Sequence, residues 1–281
     1  MTLQDLILFA LKASIALSVF AIGLQSRFDD AVALLRRPNL LVRSVLAMNV
    51  VMPLVAAAMA WAFDLPVAVE IALVALAVSP IPPVLPKKQI KAHGEPTYAI
   101  GLLVAAAAFA VVFVPLAVEL LGQAFATQAH MRVWPVARLV LATVLAPLAG
   151  GMLVRRAAPA LALRFAKPAA LVGAVLLALS FIPVLVTAWP SIVALVGSGT
   201  LWALTAFVLI GLAVGHLLGG PDPHDRTVLA LAAATRHPGV AMAIGSANFP
   251  GQSAVLPAIL LYVVLGTILT IPYVMWRKRV G

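Results

Sequence analysis

The chain has 281 residues, of which 64% are hydrophobic and only 10% are charged, and its mean hydropathy is +1.12. A soluble domain carries roughly 25% charged residues, so this composition excludes an ordinary soluble protein and predicts a helical membrane protein with several spans. The net charge of +10 does not indicate nucleic-acid binding, because the basic residues lie in short gaps between apolar runs. The absence of cysteine excludes disulfides and thiolate metal sites.

Nine apolar segments follow one another along the chain, each long enough to cross about 30 Å of hydrocarbon. Their approximate limits are 5–24, 40–63, 66–86, 97–122, 133–153, 167–188, 200–219, 226–248 and 252–276. The stretch "RFDDAVALLRRPN" between the first two segments is typical of a short amphipathic helix on the inner membrane surface.

The distribution of lysine and arginine predicts the orientation in the membrane. If the spans alternate and the C-terminal "RKR" is cytoplasmic, fifteen of these residues lie on the inner side and only Arg132 and Arg138 on the outer side. This asymmetry favours nine spans, with the N-terminus outside and the C-terminus in the cytoplasm. The high content of Ala, Arg and Leu is typical of a bacterial protein, so we expect a multi-pass protein of the cell inner (plasma) membrane.

Two of the nine segments are not expected to be continuous helices. The third contains Pro80, Pro82, Pro83 and Pro86 within seven residues, and the eighth contains "TRHPG", with Pro238, at its centre. An interior proline removes a hydrogen-bond donor and clashes with the preceding turn. Unwound backbone at membrane depth occurs only where protein buries it or where it lines an aqueous cavity. Paired broken helices are typical of inverted-repeat transporters, whose binding site lies at the breaks.

The two interruptions divide the chain into two predicted repeats. Residues 1–124 would form the first repeat, with spans one to four and a broken helix at 66–96. Residues 125–281 would form the second, with spans five to nine and a broken helix at 226–248. The breaks correspond if the first repeat lacks its leading helix. The predicted fold is therefore an all-α polytopic membrane protein, with nine transmembrane helices in a 4+5 inverted repeat and two discontinuous helices that cross near the bilayer midplane.

Four stretches resemble motifs of the bile acid:sodium symporter family. "FAIGLQSRFDDAVALLRRPN" resembles the family's "GL…DF…RP", and "LAMNVVMPLVA" resembles "AQFxxMPxxA". "SPIPPVLPKKQIKAHGEPTYAIGL" follows "CPGGxxSNxxTxLAxGxxALSxxLT", and "AAATRHPGVAMAIGSANFP" follows "ETGxQNxxLAxxIAxxxFP". The resemblance covers nearly the whole chain and implies a secondary transporter in which a core domain rocks against a panel domain. Some members of the family also lack the first of ten helices.

The resemblance fails at the positions that hold sodium in the family. Carried over residue by residue, the family's oxygen ligands become side chains that are mostly apolar or basic: Met48, Leu85, Pro86, Ala99, Leu103, Ala232, Arg236 and His237. A hard cation needs several oxygen ligands, so the chain predicts transport that is not coupled to sodium, with no cofactor and no metal. Fixed positive charge on Lys87, Lys88 and Arg236 would replace the sodium ion, which makes an organic anion the expected ligand.

The candidate substrate and crossover residues are Asn49, Pro82, Pro83, Lys87, Lys88, Thr235, Arg236, His237 and Pro238. Several of these residues are also compatible with structural roles that involve no contact with a substrate. The two lysines are equally compatible with solvated loop residues that obey the positive-inside rule. Arg236 is compatible with a structural tie to backbone carbonyls as well as with substrate binding. His237 is compatible with a proton carrier or with a neutral hydrogen-bonding residue.

The function most compatible with these features is secondary active or facilitated transport of a small organic anion by alternating access. The predicted partners are that anion and the lipid bilayer, without nucleic acid, and the oligomeric state is not indicated. An enzyme is not expected, because no paired carboxylates within a span, HExxH motif or P-loop occurs in the sequence. The alternative is a membrane sensor or scaffold that keeps the fold without transporting. A transporter should keep a hydrated cavity that reaches the breaks.

Overall fold

A computed structural model describes residues 3–124, 132–197 and 199–280, and all regular secondary structure in these ranges is helical. We number its helices α1 (Leu3–Gly23), α2 (Phe28–Val32), α3 (Pro38–Ala62), α4 (Val67–Val78), α5 (Leu85–Lys91), α6 (Pro96–Ala124), α7 (Val133–Ala157), α8 (Pro159–Ala194), α9 (Thr200–Leu218), α10 (Pro223–Ala234), α11 (Pro238–Asn248) and α12 (Val255–Val280). A 3₁₀ turn follows α2, and α3 and α7 each contain a π-helical turn.

Seven helical segments in the described part of the chain are long and apolar enough to cross a membrane. They are α3, α6, α7, α8, α9, α12 and the pair α10 and α11 taken together. Helix α4 is apolar but shorter, and α1 with α2 forms a further candidate that is bent by 103°. The protein is therefore a multi-pass helical membrane protein, as its composition predicts. The arrangement of nine spans in an inverted repeat stays a prediction.

The structure corrects the limits of two predicted segments. Helix α8 has 36 residues and extends well beyond the predicted 167–188, although Pro168, Pro183 and Pro190 lie inside it. Prolines are tolerated in membrane helices because neighbouring helices, hydroxyl side chains and ordered waters can bond to the freed carbonyls. The third segment, with approximate limits 66–86, is two helices, and its second helix continues to Lys91, within the broken helix predicted at 66–96.

The predicted boundary between the two repeats follows residue 124, and it adjoins residues 125–131, which lie outside the described residues. On either side of that gap, α1 packs against both α7 and α8. Glycines allow the close approach of α1 and α7: a Cβ on Gly23 would lie 2.3 Å from the Leu148 carbonyl oxygen, and a Cβ on Gly151 would lie 2.3 Å from the Phe20 carbonyl oxygen. These three helices, the first, fifth and sixth predicted spans, therefore form one tightly packed group.

Helices α9 and α10 make a second close contact, and it positions the second broken helix. Gly211 and Gly215 of α9 and Gly219, its C-cap residue, recur every four residues and lie against the backbone of α10. A Cβ on Gly215 would lie 2.3 Å from the Leu229 carbonyl oxygen, and a Cβ on Gly219 would lie 2.4 Å from the Arg226 Cα. Small residues at this spacing let two helix backbones approach closely within a membrane protein.

An ion pair joins the beginning of α3 to the beginning of α10. The Arg37 guanidinium donates to both carboxylate oxygens of Asp225, one of them at 3.2 Å, and Asp225 is only 2% exposed. The hydrogen bond with this carboxylate raises the pKa of Arg37 above its ordinary value. Two-point pairing between guanidinium and carboxylate fixes orientation as well as distance, so α10 is held in place from the first half of the chain.

Candidate functional site

Both proline-rich segments interrupt their helices. Helix α4 ends at Val78, residues 79–84 form no helix, and α5 begins at Leu85 with Pro86 in its first turn. Helix α10 ends at Ala234, residues 235–237 form no helix, and α11 begins at Pro238. Proline is well accommodated in the first turn of a helix and poorly in its interior. The prolines therefore end one helix and begin the next in both places.

The two interruptions are in direct contact. The His237 backbone N–H donates to the Pro80 carbonyl at 2.8 Å. The Arg236 side chain bridges from the second interruption to the first half of the chain: Nη1 donates to the Ser79 carbonyl at 3.4 Å, and Nη2 donates to the Met48 carbonyl at 2.7 Å. Ser79 is the C-cap residue of α4. The guanidinium therefore lies at a helix C-terminus, where the helix dipole favours a positive charge.

Arg236 is almost completely buried, with 1% of its surface exposed. Neither of the two ion pairs found among the described residues involves it. Its backbone N–H donates to the Tyr262 hydroxyl at 3.0 Å, and that hydroxyl donates to the Ala234 carbonyl at 2.8 Å. In this conformation the Arg236 side chain is therefore bound by backbone carbonyls, and Tyr262 satisfies the backbone groups on either side of the break.

His237 caps the beginning of α11, and this fixes its hydrogen-bonding roles. Its Nδ1 accepts the Gly239 backbone N–H at 3.1 Å, so the proton of the neutral ring belongs on Nε2. Nε2 is buried and has no partner within the described residues, and the same holds for Thr235 Oγ1 and Arg236 Nε. Buried polar atoms without partners are rare in proteins. Three of them in consecutive residues make this break the natural place for a ligand or a water molecule.

Lys87 and Lys88 lie on α5, and both are partly buried. The Lys88 ammonium donates to the Thr270 hydroxyl on α12, and Thr270 is fully buried. No carboxylate pairs with either lysine among the described residues. Neither side chain belongs to a fully solvated loop, because both lie on a helix and are partly buried. No hydrogen bond in the described ranges joins them to Arg236, so they form a separate basic group.

The remaining candidate residues lie in two places. Pro82 and Pro83 belong to the first interruption, where Pro83 is buried and Pro82 is partly exposed. Asn49 lies in the π-helical turn of α3, beside Met48, and lines a cavity of about 510 Å³ between α2, α3 and α6. The structure therefore brings together the prolines and residues 235–238, and it places the Asn49 side chain on the cavity between α2, α3 and α6.

Three residues of this region carry contacts that the motifs did not suggest. The Ser79 carbonyl binds Arg236, the Tyr262 hydroxyl bonds to both sides of the second break, and Thr270 binds Lys88. Tyr262 and Thr270 are fully or almost fully buried polar residues in the last apolar span. A hydroxyl within an apolar span usually bonds to a neighbouring helix, which is the one signal that could have pointed to them.

Comparison with known protein families gives one match. The model of the sodium bile acid symporter family matches residues 13–201, which run from α1 to the start of α9. A search of curated proteins found no match. The matched part contains Met48 of α3 and the first interruption with Ser79, whereas Arg236 lies beyond it. The match covers more than half of the 281 residues, so the chain belongs to the sodium bile acid symporter family.

Proposed function

We propose that this protein carries a small organic anion across the membrane by alternating access, and that its transport is not coupled to sodium. Its family is one of transporters, not enzymes, which implies a small-molecule substrate. The observation that carries the proposal is the position of the Arg236 guanidinium between the carbonyl oxygens of Met48 and Ser79. Backbone carbonyls at a broken helix are also the groups that coordinate sodium in secondary transporters.

A guanidinium at this position replaces an exchangeable cation with a permanent one. Arginine stays protonated inside proteins, so the charge at the crossing does not depend on the sodium concentration in solution. The side chain also occupies the two carbonyl oxygens that an ion would need. The oxygen ligands expected from the family resemblance are missing as well, with Met48, Ala232 and Arg236 at three of those positions.

The charges around the breaks favour an anion as the substrate. Lys87 and Lys88 are partly buried without carboxylate partners in the described ranges. The unpartnered Nε2–H of His237 lies at the start of α11, where the helix dipole favours negative charge. A carboxylate or sulfonate that reaches the break from an aqueous vestibule would accept the His237 Nε2–H without displacing Arg236 from its carbonyls.

The inverted repeat belongs to the same proposal. Residues 1–124 and 125–281 would be two repeats related by inverted topology, with nine spans and with α4–α5 and α10–α11 as the equivalent broken helices. The hydrogen bond from His237 to Pro80 supports this reading, because it joins the two interruptions. The closely packed group of α1, α7 and α8 would form the panel against which the remaining helices rock.

Reporter fusions are expected to place the N-terminus in the periplasm and the C-terminus in the cytoplasm of the inner membrane. The reason is the excess of lysine and arginine on the inner side, with Arg277, Lys278 and Arg279 at the end of α12. Alkaline phosphatase should be active when fused before residue 3, and a fluorescent protein should be bright when fused after residue 280. Fusions that locate both ends on one side would contradict the count of nine spans.

Replacing sodium with choline is expected to leave anion uptake unchanged, within about twofold, because the cation at the crossing is covalently attached. The purified protein is first screened with carboxylates and sulfonates, beginning with cholate, for a rise in melting temperature. Anions that stabilise the protein are then labelled and offered to reconstituted vesicles, with and without a sodium gradient.

Uptake that stops in choline would contradict sodium independence. Uptake that ignores sodium but changes steeply with pH would assign coupling to a titratable group such as His237. If no anion is bound or taken up, the protein is better described as a scaffold that retains a transporter fold.

A further inference from the structure

We infer that the cavity between α2, α3 and α6 is a second binding site, separate from the crossing, for a neutral amphiphile that enters from the bilayer. Such a ligand has an apolar body and a single hydroxyl or carbonyl group. The cavity has a volume of about 510 Å³, which lies within the range of sites for small molecules. It is formed by residues of the amphipathic segment after α1, the first half of α3 and the middle of α6.

The lining of the cavity selects against charged ligands. Leu41, Val45, Ala105 and Phe109 are typical of its walls, and no charged side chain is among the described residues that line it. A carboxylate or ammonium moved into such surroundings would lose most of its hydration without gaining a group of opposite charge. The organic anion proposed for the crossing therefore does not fit this cavity, and its ligand should be a different, uncharged molecule.

Asn49 supplies the single free polar group of this cavity. Ser44 also lines it, but the Ser44 hydroxyl already donates to the Leu40 carbonyl at 2.6 Å and pairs with the Tyr98 hydroxyl at 2.8 Å. Within the described part of the chain, no hydrogen bond joins the Asn49 amide to another group. An amide offers both donors and an acceptor, so it can satisfy one hydroxyl or carbonyl group of a ligand.

The rim of the cavity indicates the route of entry. Leu35, Phe109 and Val112 line the cavity and also expose 61%, 42% and 64% of their surface. In a membrane protein, apolar side chains exposed in this way face the hydrocarbon of the bilayer. A ligand that enters past them arrives dissolved in the membrane, which is the property of a neutral amphiphile.

Asn49 lies in an irregular part of α3. Pro53, four residues further on, has no N–H to donate to a backbone carbonyl of the preceding turn. The preceding turn, Leu46–Val51, is a π helix, and isolated π turns are frequent at functional sites. The Met48 carbonyl of the same turn accepts from Arg236. The ligand would therefore contact the turn that also holds the buried arginine, one residue away.

The site is tested by photolabelling the purified full-length protein with a 1-hexadecanol analogue that carries a diazirine in its chain. Mass spectrometry should find the label concentrated in residues 41–49 and 102–112, and unlabelled 1-hexadecanol should compete. Filling the cavity with Ala105→Phe should reduce this labelling by about tenfold. The matched control is Ala58→Phe, at an exposed position of α3 outside the cavity, which should leave the labelling unchanged.

A second variant tests the polar group without filling the cavity. Asn49→Leu should reduce labelling by the alcohol while labelling by a diazirine hexadecane of equal length persists. The proposal would be overturned by even labelling along the lipid-exposed surface of α8, by unchanged labelling of Ala105→Phe and Asn49→Leu, or by equal labelling with diazirine hexadecanoate. The measurement needs no transport, so its outcome is independent of whether the protein carries an anion.

Discussion

Replacing Arg236 with alanine is expected to abolish anion uptake and to lower the melting temperature of the protein. The substitution removes the donor that binds the carbonyl oxygens of Met48 and Ser79, and both acceptors lie in the protein interior. Each of the two buried acceptors left without a donor costs about 1–3 kcal/mol, so the free energy of unfolding should fall by about 2–6 kcal/mol. Differential scanning fluorimetry of the purified protein measures the stability, and uptake by reconstituted vesicles measures the transport.

Two further substitutions at Arg236 separate the charge from the hydrogen bonds. Glutamine can donate to one carbonyl but is neutral, whereas lysine keeps the positive charge and reaches fewer acceptors than the guanidinium does. If the fixed charge replaces a sodium ion, Arg236→Lys should retain part of the uptake and Arg236→Gln should retain none. Equal uptake by these two variants would show that the residue acts through hydrogen bonding alone.

Arg277 provides a matched control for the loss of a buried arginine. It is 3% exposed, and its guanidinium donates to the Thr227 hydroxyl at 2.7 Å and to the Pro223 carbonyl at 3.0 Å. Like Arg236 it binds neutral oxygens, but it lies at the other end of α10. Arg277→Ala should lower the melting temperature and keep uptake per folded molecule. If both variants lose uptake in proportion to their stability, Arg236 has no special role in transport.

Replacing Gly215 with alanine is expected to destabilise the protein by about 3 kcal/mol or more, and leucine at this position should prevent folding. The added Cβ would lie 2.3 Å from the Leu229 carbonyl oxygen and 2.5 Å from the Ala230 Cα. Both atoms belong to the backbone, so no side-chain rotation relieves the overlap, and α9 must move away from α10. The yield of monodisperse protein and its melting temperature measure the effect.

Gly266 is the control, because it is also a glycine inside a membrane helix. The nearest atom to a Cβ added there is the Val208 Cγ2, at 3.9 Å, which is an ordinary contact. Gly266→Ala should therefore leave the stability unchanged or raise it by up to about 1 kcal/mol, because alanine favours the helix. A similar loss of stability in both variants would show that the distance between α9 and α10 is not the cause.

Composition and proline chemistry predict much of this fold because both act locally. An apolar run is helical in a bilayer wherever it occurs, and the prolines at 80–86 and 238 end helices through the missing N–H. The same rule does not predict that α8 continues through Pro168, Pro183 and Pro190. Whether a proline breaks a membrane helix depends on which groups surround the freed carbonyl, and the sequence does not contain that information.

The sequence predicts the hydrogen-bond donors of the candidate site but not the carbonyl groups that accept from them. Arg236 and His237 are conspicuous in an apolar span, so the sequence points to them directly. Their acceptors are the carbonyls of Met48, Ser79 and Pro80, and every residue carries a carbonyl. Only the folded arrangement decides which ones lie within reach. The same reason explains the grouping of Asn49 with the crossing residues, since its distinct cavity depends on how α2 and α6 pack around α3.

In the contact between the two interruptions, one half of the chain provides the hydrogen-bond acceptors and the other half provides the donors. The first half contributes only oxygens, from Met48, Ser79 and Pro80, and the second half contributes only nitrogens, from Arg236 and His237. A chimera that takes residues 226–248 from a sodium-binding relative would keep these oxygens and lose the cation they hold. If transport is independent of sodium as proposed, exchanging this one segment should be enough to change the ion dependence, because the oxygens stay in the other half of the chain.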